Sequence, residues 1–91
     1  MNSCIVLFFA TLKDRAGVRQ ITLELPDGIT VSGLKVVLQE LFPSITPVLP
    51  HALIAVNREY AVDDTLVPPE AEIAIFPPVS GGTSRVLLTN L

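Results

Sequence analysis

A single long helical pattern is the feature that most constrains the fold of this chain. Apolar residues recur at helical spacing between Val31 and Leu41. Thr30 can cap the start of this helix, and Pro43 can end it. The other apolar segments are short and have the composition of strands, and one helix cannot cover both faces of the sheet that they form. The sequence therefore predicts an α+β fold with one main helix on one face of the sheet and the other face open.

Short apolar segments predict the strands. Residues 3–9 form a continuous apolar run, which predicts a strand with little solvent on either face. Residues 18–25 alternate between polar and apolar with a period of two, which predicts a strand paired with the first as a hairpin. Residues 11–17 predict a short helical turn between them, ended by Gly17. Further strands are predicted at residues 52–56, 60–62 and 71–76, separated by a proline-stiffened loop and by turns at Asn57-Arg58 and Pro68-Pro69-Glu70.

Length and composition exclude several classes of protein. The chain has 91 residues, enough for one domain, and its net charge is −3, which argues against a nucleic-acid partner. The apolar run from Cys4 to Ala10 is far shorter than the roughly 20 residues that a membrane helix needs. No positive charge precedes that run as it would in a secretory signal, and one cysteine cannot form an internal disulfide. We therefore expect no membrane partner and a cytoplasmic location.

Candidate catalytic residues are scarce. His51 is the only histidine and Cys4 the only cysteine, so we expect no metal site. We interpret Cys4 as a buried apolar residue, His51 as a surface residue, and Asp63-Asp64 as acids that cap backbone amides in a turn. The glycines are too scattered to form a phosphate-binding loop. The sequence predicts no free-standing enzyme.

One stretch does indicate a function, and it lies at the end of the last predicted strand. Within that strand Phe76 shares a face with Glu72 and Ala74, which predicts an aromatic side chain on the open face. The alternative is that Phe76 caps the core at the edge of the sheet. Pro77-Pro78 ends the strand in extended geometry and directs the chain away from the domain. Gly81-Gly82 then provides backbone without side chains, which fits a narrow channel in another protein.

These residues are similar to a known family. The similarity covers residues 3–82 and depends on Val6-Leu7-Phe8-Phe9-Ala10, Gly17, Ala55-Val56-Asn57 and the run from Ile75 to Gly82. The chain resembles the ubiquitin-like sulfur carriers, specifically the MoaD family, the small subunit of molybdopterin synthase. The resemblance implies a β-grasp fold with a mixed sheet of four to five strands and one main helix on one face. Residues 1–82 would form this domain and residues 83–91 a C-terminal extension.

The resemblance also implies a chemistry and its partners. An E1-like enzyme would use ATP to adenylate the Gly82 carboxylate, which a sulfurtransferase would convert to a thiocarboxylate. The large synthase subunit would receive the tail and pass the sulfur to a pterin precursor, so the chain would bind no permanent cofactor and would be no enzyme on its own. The residues implied in partner binding are Phe9, Lys13, Tyr60, Phe76, Pro77, Pro78, Val79, Ser80 and Gly81.

Two departures from the family pattern leave alternatives open. Pro68-Pro69-Glu70 replaces an acidic turn that is common in the family, and residues 83–91 follow the Gly-Gly pair. With these residues attached Gly82 has no free carboxylate. A protease could remove them, they could begin a fused second domain, or the chain could be a relative that carries no sulfur. The alternative functions are a β-grasp interaction module and a sulfur carrier for thiamine, cysteine or tungsten-cofactor synthesis.

Overall fold

The sheet has five strands, and its central pair joins the first strand to the last. In the computed structural model, which describes residues 2–77, the order across the sheet is β2-β1-β5-β3-β4. The strands are β1 (Asn2–Phe8), β2 (Gln20–Leu25), β3 (Leu53–Val56), β4 (Glu59–Ala61) and β5 (Glu72–Phe76). β1 and β5 run parallel, and the other three neighbouring pairs are antiparallel. The predicted α+β fold with a mixed sheet is confirmed.

Two α-helices accompany the sheet. Helix α1 (Ala10–Ala16) lies between β1 and β2 and ends at Gly17, whose φ of 79° is the left-handed conformation that glycine favours. Helix α2 (Val31–Leu41) begins at Thr30, whose hydroxyl accepts a hydrogen bond from the Gly33 backbone amide at 3.3 Å. Both helices were predicted. No helix within residues 2–77 is long and apolar enough to cross a membrane.

The core lies between α2 and one face of the sheet, which we call the core face. Its residues follow the period of two along each strand, because paired residues of neighbouring strands point to the same side. Val6 pairs with Ile73, and Ile54 pairs with Ile75. The fully buried large side chains include Phe8, Leu12, Leu25, Leu34, Leu38, Ile45, Leu49, Ile73 and Ile75.

The connection between α2 and β3 contributes more than the stiff loop that the sequence predicts. It forms two 3₁₀ helices, Pro43–Ile45 and Leu49–His51, each with a proline at its first or second position, and these helices bury Ile45 and Leu49 completely. The Ser44 hydroxyl donates a hydrogen bond to the Arg15 carbonyl at 2.8 Å, which links the α2–β3 connection to the end of α1. The segment is therefore part of the core.

The prediction that β1 has little solvent on either face is wrong. Cys4, Val6 and Phe8 are buried, but Ile5 between them is 40% exposed. Phe9 lies outside β1, at the start of α1. A continuous apolar run is typical of a strand covered on both sides, and here only the core face is covered by helix. The apolar residues on the other side of β1 belong to an open face.

Candidate docking site

The open face of the sheet carries a groove of about 360 Å³. We define this groove by the eight residues that line it, which are Leu7, Phe9, Ala55, Arg58, Tyr60, Glu72, Ala74 and Phe76. Most of them are apolar, and they come from three segments that are distant in the sequence. The groove lies on the side of the sheet opposite α2.

Strand register brings these side chains together. Ala74 of β5 pairs with Leu7 of β1 on one side and with Ala55 of β3 on the other. Ala55 in turn pairs with Tyr60 of β4, so four strands contribute to one row. Because the middle of this row is formed by two alanines, larger side chains around them leave a depression.

Two aromatic rings close one end of the groove. Phe9 and Phe76 stack with their ring centroids 4.7 Å apart and their planes 11° from parallel. The Phe9 amide donates to the Ile75 carbonyl at 3.1 Å, which extends the parallel pairing of β1 and β5 by one residue. Phe9 is nevertheless 39% exposed. A partly exposed aromatic pair at the edge of an apolar groove is typical of a protein interface.

A tight turn between β3 and β4 builds the other end. Asn57 and Arg58 have φ values of 52° and 73°, the conformation of a two-residue hairpin turn that suits the twist of the strands. Asn57 fixes this turn to β5, because its side-chain oxygen accepts from the Glu72 amide at 2.9 Å and its own amide donates to the Glu72 carbonyl at 2.8 Å. The turn leads directly to Tyr60, which is 77% exposed.

Arg58 and Glu72 are the charged residues of the groove. The Arg58 Nε and the Glu72 Oε1 are 3.7 Å apart, and the two side chains are 88% and 45% exposed. An ion pair this long and this exposed adds little to stability, typically below about 1 kcal/mol. Both groups are therefore free to pair with charges on a bound segment.

The structure brings together three of the residues that the resemblance implied. Phe9, Tyr60 and Phe76 line the one groove, and Pro77 follows Phe76 directly and is half-buried. Lys13 lies elsewhere, on α1, where it is exposed beside a different surface depression. The structure separates Lys13 from the groove, and its role in partner binding stays a prediction.

The remaining predicted site residues are Pro78, Val79, Ser80, Gly81 and Gly82, and these lie outside the described residues, as does the extension 83–91.

Sequence reasoning missed Arg58 as a groove residue. The Asn57-Arg58 turn signal predicted the hairpin, and a search for residues adjacent to Tyr60 across that hairpin could have found it.

The other candidate residues do not form a site. Cys4 is 2% exposed, and its burial raises the pKa of the thiol above its ordinary value. His51 is exposed at the end of the second 3₁₀ helix. Asp63 pairs with the Lys35 ammonium at 2.9 Å, whereas the sequence predicted a capping role for it. Within residues 2–77 no three His, Cys, Asp or Glu side chains lie close enough to hold a metal ion.

Known proteins resemble this chain in sequence and in fold. The model of the ThiS family matches residues 6–82. The molybdopterin synthase sulfur carrier subunit of Arabidopsis thaliana is 39% identical over 77 residues, covering 85% of this chain and 80% of that protein. The protein of the same description from Dictyostelium discoideum is 39% identical over 84 residues, covering 89% and 98%. The crystal structure of SAMP1 from Haloferax volcanii superposes with a TM-score of 0.78 at 28% identity, covering 89% and 100%.

Proposed function

The chain belongs to the ThiS family, and from that premise we propose that it is the sulfur carrier of a molybdopterin synthase. The relatives from Arabidopsis thaliana and Dictyostelium discoideum, which match most of this chain, are sulfur carrier subunits of that synthase. In this proposal the reactive group is the backbone carboxylate of Gly82. The chain contributes this carboxylate and a docking surface, and its partners contribute catalysis.

The proposed chemistry has two steps before sulfur is delivered. At an E1-like enzyme the Gly82 carboxylate attacks the α-phosphorus of ATP, and pyrophosphate leaves. A sulfurtransferase then supplies sulfur at the oxidation level of sulfide. A C–S bond forms, the C–O bond to AMP breaks, and a thiocarboxylate remains without net redox change. The large subunit of the synthase would then bind this thiocarboxylate beside the pterin precursor, which receives the sulfur.

The observation that carries this proposal is the groove, together with the short separation in sequence between its residue Phe76 and Gly82. Phe76 lines the groove, and the chain continues from Phe76 to Gly82 in six residues, which span at most about 20 Å. A large subunit that docks on the groove therefore has the Gly82 carboxylate within a short reach of the docking surface. Positioning a reactive group in this way can remove a large part of the entropic cost of a bimolecular step.

The proposal requires a free carboxylate at Gly82. An amide bond to Thr83 removes that carboxylate, so we include proteolysis after Gly82 in the proposal. Within residues 2–77 the buried core residues all lie between Cys4 and Ile75, and we therefore expect a chain that ends at Gly82 to keep its fold. A cytoplasmic location stays a prediction from the sequence.

Reconstitution with an E1-like enzyme and a sulfurtransferase of a molybdopterin pathway tests the proposal. The variant ending at Gly82 should gain about 16 Da on incubation with ATP and a sulfide source, because sulfur replaces one carboxylate oxygen. The full 91-residue chain is the matched control and should keep its mass. The proposal is contradicted if the shortened chain keeps its mass while the native carrier of the same enzymes is converted. That result would favour an interaction module without sulfur transfer.

The sulfur-transfer pathway is tested separately. The thiocarboxylate form should convert a cyclic pterin precursor to molybdopterin when the large subunit of molybdopterin synthase is added. Thiocarboxylate formation without molybdopterin formation would indicate a carrier of another pathway, such as thiamine, cysteine or tungsten-cofactor synthesis.

A further inference from the structure

We propose that the extension 83–91 binds the groove of its own chain and competes with the partner until it is removed. The groove is an apolar surface with exposed aromatic residues at both ends, and within residues 2–77 no segment covers it. The extension contains Val86-Leu87-Leu88, three consecutive apolar residues. This inference assigns the C-terminal extension a second role in addition to blocking the Gly82 carboxylate.

The extension is long enough to reach the groove. Val86 follows Pro77 by nine positions in the sequence, and a chain of that length can span up to about 30 Å. The groove runs along β5 from Phe76 back to Glu72, a distance of about 14 Å, and across to Tyr60 on β4, about 10 Å away. The reach therefore exceeds both dimensions of the groove. Gly81-Gly82 provides the backbone freedom that a reversal of chain direction needs.

The chemistry of the extension complements that of the groove. Arg85 is the only charged side chain in the extension, and it directly precedes the apolar residues. At the Asn57-Arg58 end of the groove the Glu72 carboxylate is 45% exposed and only loosely paired. A segment bound with its apolar residues over Ala55 and Ala74 can bring its cation to Glu72. The groove thus offers both an apolar floor and a carboxylate for this one segment.

Tethering makes weak contacts sufficient. A short flexible linker produces an effective concentration of about 1 mM, so a segment with an intrinsic dissociation constant of about 0.1 mM would be bound roughly tenfold more often than free. A partner that needs the groove would then bind the full chain about tenfold more weakly. Proteolysis after Gly82 would create the carboxylate and uncover the docking surface in a single event.

Methyl NMR on the full chain tests the inference without any partner. The first variant is Leu87→Asp with Leu88→Asp, which removes the apolar contacts of the extension. The matched control is Thr83→Asp with Ser84→Asp, which adds the same two charges to the same segment and keeps the apolar residues. If the extension binds the groove, the first variant shifts the methyl resonances of Leu7, Ala55 and Ala74, and the control leaves them in place. The methyl resonances of the core residues Val6 and Ile73 should not shift in either variant.

The outcomes separate this inference from its alternatives and from the proposed function. The inference would be overturned if the groove methyl resonances had the same chemical shifts in the native chain, the first variant and the control. Groove shifts that depend on protein concentration would overturn it too, because they would indicate a second copy of the chain in the groove. The second measurement is the affinity for the large synthase subunit, and it rests on the proposed function. The Leu87→Asp, Leu88→Asp variant should bind that subunit about tenfold more tightly than the native full chain. If the groove methyl resonances shift and no form of the chain binds that subunit, the proposed function fails and only the binding of the extension to the groove stands.

Discussion

Replacement of Phe76 by aspartate should abolish docking and keep the fold. The ring of Phe76 stacks on Phe9 and pairs across the sheet with Leu53. Loss of the stack removes about 0.5–1.5 kcal/mol beyond the buried area, and loss of the cross-strand pair removes about 0.2–1 kcal/mol. The sum of about 0.7–2.5 kcal/mol is smaller than the 5–15 kcal/mol that ordinarily stabilises a domain. We therefore expect Phe76→Asp to remain folded with a lower unfolding temperature.

The effect of the same substitution on binding should be much larger. Truncation of an aromatic hot-spot residue at an interface typically costs at least about 2 kcal/mol. A carboxylate that must lose its water in the bound groove adds about 1–3 kcal/mol when it finds no partner. Together these costs of about 3–5 kcal/mol correspond to a dissociation constant raised roughly 200-fold to 5,000-fold. Calorimetric titration of the large synthase subunit with chains ending at Gly82 measures this change.

A control on the opposite side of the domain isolates the groove. Val36 lies on α2, is 54% exposed, and does not line the groove. Val36→Asp makes a comparable change of charge on an exposed apolar residue and should leave the affinity for the large subunit unchanged. If Phe76→Asp is unfolded by circular dichroism, Phe76→Ala is the second variant, with an expected affinity loss of about 30-fold. A folded Phe76 variant that binds within threefold of the native chain would refute the assignment of the groove as the docking surface.

Three further predictions concern stability and reactivity. Asn57→Ala should lower the free energy of unfolding by about 2 kcal/mol, because alanine disfavours the positive φ and the Glu72 amide loses its side-chain acceptor; a loss below 0.5 kcal/mol in urea unfolding would contradict this. Thr30→Ala should cost about 1 kcal/mol through loss of the α2 cap, whereas its neighbour Ser32→Ala should cost less than half as much, and equal effects would exclude the capping account. Burial raises the pKa of the Cys4 thiol, so the folded protein prefers the neutral thiol and that preference costs stability once the unfolded thiol ionises. The free energy of unfolding of the native chain should therefore fall relative to that of the Cys4→Ala variant as pH rises from about 7 to 10. If the difference between these two free energies stays constant over that range, the prediction is refuted.

Periodicity allowed much of the site to be predicted from the sequence. In residues 71–76 the alternation of side chains placed Phe76 with Glu72 and Ala74, and the structure confirms that all three line the groove. The helix at residues 31–41 was predicted from its spacing and its caps, and its bounds agree with the structure. These are local properties, fixed by the geometry of a strand or a helix.

The sequence did not reveal features that depend on contacts between distant segments. Ile45 and Leu49 are isolated apolar residues among prolines, and no period marks them as core. The run of residues 3–9 has no polar alternation, so its open side could not be told from its buried side. The stack of Phe9 on Phe76 depends on which strands are neighbours, and a single sequence does not specify that.

The parallel pairing of β1 and β5 is the feature that builds the groove, which we propose as the docking surface. Phe8 pairs with Ile75 across these strands, and both are buried on the core face. Each is followed directly by a phenylalanine, Phe9 and Phe76, which the alternation of side chains carries to the open face. A slip of one residue in β5 would bury Phe76 under α2 and expose Ile75, so core packing and the aromatic pair depend on the same register. Selection for a stable core in this fold therefore also preserves the surface from which the chain leaves toward Gly82.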